Sequence, residues 1–178
     1  AAACAKVRIA QINPQVPFSY GDPVIHVSKL DAAVLVDDPL VEVPTAVPTE
    51  KEIKIGEYIA EHIPDGATLQ IGVGGIPNAV IRALAGHKHL GLHTEAMTDG
   101  VLPLIQKGII DNSLKKIEPG KSVASLALGS RALYDFMDYN KEIVFKDVAW
   151  TNDPFIIAQN PKVASINSCL EIDLTGQI

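Results

Sequence analysis

Apolar positions fall along the chain in short blocks whose period changes from one block to the next. Val7–Ile12 predicts a strand that stops at Asn13-Pro14, and Val24–Val27 and Ala32–Val36 predict two more. Residues 37–49 carry Pro39, Pro44 and Pro48 with few apolar positions in helical register, which predicts an extended linker. Thr49-x-x-Glu52 has the form of a capping box. Ile55, Tyr58, Ile59, His62 and Ile63 follow at helical spacing and predict one apolar helix face, closed by the turn Pro64-Asp65-Gly66.

From residue 67 onward, strand and helix patterns alternate. Ala67–Ile71 predicts a strand, Gly72–Ile76 a glycine-rich turn, and Pro77 the first position of a helix running to about Ala85, with Gly86 as its stop. Strands are predicted at Leu90–His93, Ser122–Leu128, Glu142–Trp150 and Val163–Cys169. Helices are predicted at Gly100–Lys107 and Arg131–Met137, and a helical turn at Pro154–Gln159. Glu171 and Asp173 alternate with Leu170, Ile172 and Leu174, the pattern of a half-buried strand with its acidic residues outward. Such alternation predicts an α/β fold with a mostly parallel sheet covered by helices.

Composition narrows the class. Of 178 residues 47% are hydrophobic, enough for a packed core and too many for a disordered chain. The formal net charge is -6, and with three Arg and no basic run the chain is a poor partner for nucleic acid or an anionic membrane. No apolar run approaches the roughly 18 residues of a membrane span. Cys4 and Cys169 lie far apart, which argues against a disulfide framework or a cysteine zinc site and for a reducing, cytoplasmic compartment; Cys169 is expected in the core. Ala1–Ala3 lacks the features of a signal peptide, and both ends read as interior sequence, so the chain is expected to be a piece of something longer.

Two places carry candidate chemistry. In Leu69-Gln70-Ile71-Gly72-Val73-Gly74-Gly75-Ile76-Pro77 a strand runs into glycines and then a helix. Backbone N–H groups there could cradle a phosphate or stabilise an oxyanion, or the glycines could serve a tight turn and nothing more. Pro77 breaks the dinucleotide fingerprint, and no Gly-Lys-Ser/Thr follows to make a P-loop. One strand later comes Glu95, which a parallel sheet would deliver to the same edge. A carboxylate there could be a general base, a nucleophile that forms an anhydride with an activated acyl group, or a solvated surface residue. His87, His89 and His93 form a small cluster, but Gly91 interrupts it and no carboxylate or Cys sits at ligand spacing, so no metal site is expected; His93 could orient the surroundings of Glu95.

Taken in order, several segments resemble the acetyl-CoA hydrolase/transferase family, and within it the 4-hydroxybutyrate or butyryl CoA-transferase group. They are Gln11-x-Asn13-Pro14, the stretch Asp65–Val80 around the glycine loop, and Leu90-Gly91-x-His93-Thr94-Glu95-x-x-x-Asp99-Gly100. Leu128–Phe136, Asn152-Asp153-Pro154 and Ile166–Gln177 complete the set. The resemblance implies two similar α/β halves with the active site between them. Residues 1–36 would end the N-terminal domain, 37–49 would be the Pro-rich linker, and 50–178 would begin the C-terminal catalytic domain. It further implies that Glu95 is a nucleophile that forms a glutamyl-CoA thioester by ping-pong kinetics. Gly72, Val73, Gly74, Gly75 and Ile76 would contact CoA and the oxyanion, with Gln70 as a side-chain donor.

On that resemblance the chain is expected to move CoA between short-chain carboxylic acids such as 4-hydroxybutyrate, butyrate and acetate. CoA is then a substrate and no cofactor is needed; a homodimer or larger homo-oligomer is expected. Asn78 stands where Asp is expected and Ala96 where Met is expected, and both bear on the acyl pocket. Two alternatives stand beside this reading: an acyl-CoA hydrolase on the same scaffold, and a CoA- or nucleotide-binding module without chemistry.

Overall fold

The computed structural model describes residue 2 and residues 4–178. Ten strands and six helices alternate through most of it. The strands are β1 (Ile9–Ile12), β2 (Tyr20–Gly21), β3 (Ala32–Leu35), β4 (Thr68–Ile71), β5 (Gly91–Leu92), β6 (Ala96–Thr98), β7 (Ser122–Ala124), β8 (Leu126–Leu128), β9 (Ile143–Phe145) and β10 (Val163–Ile166). The helices are α1 (Glu50–Ala60), α2 (Gly75–Ala83), α3 (Leu102–Gln106), α4 (Arg131–Met137), α5 (Val148–Thr151) and α6 (Pro154–Ile157).

Every strand pair is parallel, as the βα alternation predicts. The ladders run β10-β4-β5, β2-β9-β7, β6-β8 and β1-β3, and a bridge from His93 to Val123 joins the β5 stretch to β7. Leu69, Leu84, Leu90, Leu92, Met97 and Leu133 are fully buried where helices close on these strands. Aliphatic side chains thus fill a core in a chain with only 5% aromatics.

α1 begins as predicted: the Thr49 hydroxyl accepts from the Glu52 N–H, and the Glu52 carboxylate accepts from the Thr49 N–H. Its buried stripe differs from the predicted face. Gly56, Ala60 and Ile63 are buried and Ile59 partly so, while Ile55, Tyr58 and His62 are exposed. The physical reason is close approach. A Cβ on Gly56 would sit 2.7 Å from the Ala79 carbonyl carbon, so the small-residue stripe, not the bulky one, faces α2.

Local capping overturns three other expectations. Val24–Val27 is no strand; Val27–Lys29 forms a turn of 3-10 helix, with the His26 ring accepting from the Ser28 N–H. The strand predicted over Glu142–Trp150 ends at Phe145, because Asp147 caps α5 by accepting from the Ala149 N–H. Residues 167–178 form no strand: Asp173 draws them into a turn by accepting from Thr175 and Gln177, and Cys169 is exposed rather than buried. An alternating pattern makes a strand only when a partner edge is present to receive it.

Residues 37–49 contain no helix or strand, yet residues 41–46 are fastened along the ends of β6 and β8. The Val43 N–H donates to the Gly129 carbonyl, the Tyr134 hydroxyl to the Val41 carbonyl, and the Thr45 hydroxyl to Asp99. Among the described residues no helix is long and apolar enough to cross a membrane.

β5 is held from one side by a buried lysine. Lys115 is 4% exposed and donates to the carbonyls of Leu92 and Lys121 at 2.9 and 2.6 Å. Asn112 accepts from the Leu92 N–H and donates to Ser122, so both edges of Leu92 are occupied. Burial pushes the Lys115 ammonium down from 10.5 to about 7, with Glu118 opposing the shift. A neutral amine keeps two N–H donors, enough for both carbonyls. Between about pH 7 and 10.5 the unfolded chain binds a proton that the folded chain does not, so stability rises with pH across that window. The rise is at most about 1.4 kcal/mol per pH unit. Urea unfolding at pH 7, 8 and 9 is expected to show this slope and to lose it in Lys115→Met; equal slopes in the two proteins would refute it.

Candidate active site

Thr94 brings the two candidate segments together. Its hydroxyl accepts from the Ile71 N–H at 3.1 Å and donates to the Ile71 carbonyl at 2.9 Å. Ile71 is the last residue of β4, immediately before the glycine turn, and Thr94 is immediately before Glu95. Glu95 and the turn therefore lie side by side at the carboxyl ends of neighbouring parallel strands, the edge where open α/β sheets bind ligands.

Glu95 sits at a break between β5 and β6. Its carbonyl accepts from both Ser125 and Leu126, which separates β7 from β8 and bends the backbone outward there. The residue is exposed, its neighbours His93 and Thr94 are buried, and its carboxylate is clasped on one side. The Asn152 amide donates to the Glu95 Oε2 at 2.8 Å, leaving Oε1 without a protein partner among the described residues. Asn152 is a site residue that the sequence reading did not single out. The Asn152-Asp153-Pro154 motif marks the segment but not the role of the amide, whose partner lies 57 residues away.

The turn itself is built for close approach. Gly74 has φ +144°, a conformation that side chains rarely adopt, and it leads straight into α2. The Asn78 N–H donates to the Gly74 carbonyl and Pro77 has no N–H. The N–H groups of Val73, Gly74, Gly75 and Ile76 have no acceptor among the described residues, as expected for the first turn of a helix. The Gly72 N–H differs: it donates to the Ile166 carbonyl at 2.8 Å and is not free for a ligand. The Gln70 side chain is engaged with the end of β10, its carbonyl oxygen accepting from Ser165 and Asn167. Its NH2 keeps one long contact, 3.4 Å to Asn167.

Beside the loop lies a cavity of about 90 Å³ lined by Val73, Gly74, Asn78, Thr98, Leu128 and strap residues 43–46. Asn78, one of the two departures from the family pattern, is buried there with its amide 3.4 Å from the Ala46 carbonyl. Next to the lining Thr98, Asp99 accepts from Ser130 and Thr45 and so ties residue 45 to the end of β8. The three histidines serve separate partners: His87 meets the Ile63 carbonyl, His89 the Asp111 carboxylate and His93 the Thr151 carbonyl.

Relatives are found along nearly the whole chain. Residues 129–178 match the acetyl-CoA hydrolase/transferase C-terminal domain. A succinyl-CoA:acetate/propanoyl-CoA:succinate CoA transferase of Fasciola hepatica is 49% identical over 96% of the chain, which covers 36% of that protein. A 4-hydroxybutyrate coenzyme A transferase of Clostridium kluyveri is 42% identical over the whole chain, which covers 42% of it. The chain thus spans about two fifths of the length of these relatives. The crystal structure of a 4-hydroxybutyrate CoA-transferase from Porphyromonas gingivalis superposes with a TM-score of 0.92 at 49% identity, over 97% of this chain and 44% of that one. With motifs, fold and sequence in agreement over nearly its whole length, the chain belongs to the acetyl-CoA hydrolase/transferase family.

Proposed function

We propose that the full-length protein is an acyl-CoA:carboxylate CoA-transferase with Glu95 as its nucleophile. The observation that carries this is an exposed carboxylate, clasped by one amide, beside a turn of four unpaired backbone N–H groups. In the first step Glu95 Oε1 attacks the thioester carbonyl. A C–O bond forms, the C–S bond breaks, and an acyl-glutamyl anhydride and CoA thiolate result. The thiolate attacks the glutamyl carbonyl, forming a glutamyl-CoA thioester and releasing the first carboxylate. A second carboxylate attacks that thioester, and the thiolate then attacks the incoming acyl group. The products are a new acyl-CoA and the free Glu95 carboxylate, with no net proton change.

Each tetrahedral intermediate places negative charge on oxygen. The N–H groups of Val73–Ile76, which have no acceptor among the described residues, would supply such stabilisation at the start of α2. Asn152 holds Oε2 and so leaves the other oxygen to attack. The cavity beside the loop, about 90 Å³, lies well below the 300 Å³ or more of a drug-sized pocket and suits a short acyl chain. The test is incubation with an acyl-CoA followed by borohydride or hydroxylamine trapping and peptide mass spectrometry. The expected result is modification at Glu95 alone, and its absence under turnover conditions would refute the reading.

A hydrolase reading stands second, because the matched family carries both activities in its description. It predicts free acid released from acyl-CoA at the same rate with and without an added carboxylate. The transferase reading predicts CoA exchange into a labelled carboxylate and slow hydrolysis.

A further inference from the structure

We infer that His93 is a positioning residue that latches the 148–152 turn onto the strand carrying Glu95, and so fixes the Asn152 amide against the Glu95 carboxylate. Its consequence for rate rests on the CoA-transfer reading; its consequence for geometry does not.

His93 closes the β5 stretch and Glu95 lies two residues on, at the bend before β6. The 148–152 turn meets both. The His93 Nε2 is 2.8 Å from the Thr151 carbonyl, and one residue later the Asn152 Nδ2 is 2.8 Å from Glu95 Oε2. A carbonyl only accepts, so Nε2 carries the hydrogen. Fixing the Thr151 carbonyl fixes the peptide that leads directly into Asn152. The His93 ring is also stacked on Trp150, with centroids 5.7 Å apart and planes inclined by 27°. Trp150, Thr151 and Asn152 are therefore held in succession by His93, His93 and Glu95.

The turn needs such an anchor. α5 has four residues, too short to be stable without tertiary contacts; Asp147 caps its start and Lys146 Nζ lies 5.3 Å from the Trp150 ring centroid, while His93 holds the end that leads into Asn152. The latch is otherwise a poor choice of core residue. His93 is 4% exposed, and its Nδ1 is buried with no partner among the described residues. An apolar ring would pack there without an orphaned nitrogen. What imidazole adds is the Nε2–H donor. Burial, reinforced by the nearby Lys115 and opposed by the Thr151 bond, holds the ring's pKa below its ordinary value and so favours the neutral form that has this arrangement.

The side-chain geometry supplies the discriminating variants. A glutamine amide reaches the place of Nε2, whereas an asparagine amide reaches only the place of Nδ1. In the full-length chain, His93→Asn is expected to lower kcat about tenfold with the acyl-CoA KM changed less than about twofold. His93→Gln is expected to keep kcat within about threefold of the parent. Asn152→Ala is expected to match His93→Asn, and the double variant to be no slower than Asn152→Ala alone, because both act through one contact. Multiplying effects in the double variant, or equal losses in His93→Gln and His93→Asn, would overturn the latch. Should His93→Asn not fold, a folded His93→Gln that loses tenfold still overturns it. A crystal structure of His93→Asn separates this inference from the transferase reading. Retention of the 2.8 Å Asn152–Glu95 contact sinks the latch alone, and undiminished exchange by Glu95→Gln sinks the transferase reading alone.

Discussion

Glu95→Gln is expected to lower CoA exchange by at least about 1000-fold, equivalent to about 4 kcal/mol of transition-state stabilisation. The substitution keeps the size of the side chain and leaves an amide oxygen to accept from Asn152, so the hydrogen bond and the fold persist. What it removes is the charged oxygen that forms the anhydride, and an amide is a far weaker nucleophile than a carboxylate. Glu95→Asp separates chemistry from placement. It keeps the charge but shortens the reach by one methylene, breaking the Asn152 contact and drawing the attacking oxygen back. A misplacement of about 1 Å costs on the order of 100-fold in rate. The ordering parent, then Asp, then Gln is the signature of a positioned nucleophile. Thermal unfolding should be unchanged, since Glu95 is exposed and makes one side-chain contact. Exchange above a tenth of the parental rate in Glu95→Gln would remove Glu95 from the mechanism.

The second large effect is expected far from Glu95, at Gly56. An added Cβ there would lie 2.7 Å from the Ala79 carbonyl carbon, 2.9 Å from the Ala79 Cβ and 2.9 Å from the Val80 nitrogen. Two of these atoms are backbone in the middle of α2, so no side-chain rotation relieves the clash and the helices must separate. Helix propensity favours Ala over Gly by about 1 kcal/mol. Overpacking of a close contact opposes it by about 1–3 kcal/mol. Gly56→Ala is therefore expected to be net destabilising by about 1 kcal/mol, and Gly56→Val, with two further methyl groups, by about 3 kcal/mol or more. For a chain of this size that is a fall in Tm of roughly 6–12 °C for the valine variant. Because α2 carries Gly75 and Ile76 at its first turn, the same displacement should lower exchange activity in the fraction that remains folded. A Gly56→Ala protein more stable than the parent would show that the contact has slack.

Both predictions turn on features whose legibility in the sequence differed. Glu95 and the glycine turn were legible because each is local: a strand, a turn and a carboxylate at the next strand's end. α4 was predicted to the residue, since Arg131–Met137 is a short amphipathic run bounded by Ser130 and Asp138. The capping box at Thr49 was equally local. The packing face of α1 was not, because hydrophobicity marks Ile55 and Tyr58 while steric fit selects Gly56 and Ala60. Asn152 was out of reach for a different reason. Nothing near it in the chain distinguishes an amide that caps a turn from one that clasps a carboxylate 57 residues away. The Glu142–Trp150 error was avoidable, since Asp147 is an ordinary helix N-cap within the predicted strand.

Period, caps and turn residues along the chain determined that strands and helices alternate, that the sheet is parallel, and that Glu95 and the glycine turn share one edge. These follow from interactions within a few residues and from the handedness of βα units. The tertiary structure alone decided which N–H groups of the turn are free, which side of α1 is buried, and which amide meets Glu95. Those outcomes depend on distances between segments remote in sequence, where burial and steric fit override the local pattern.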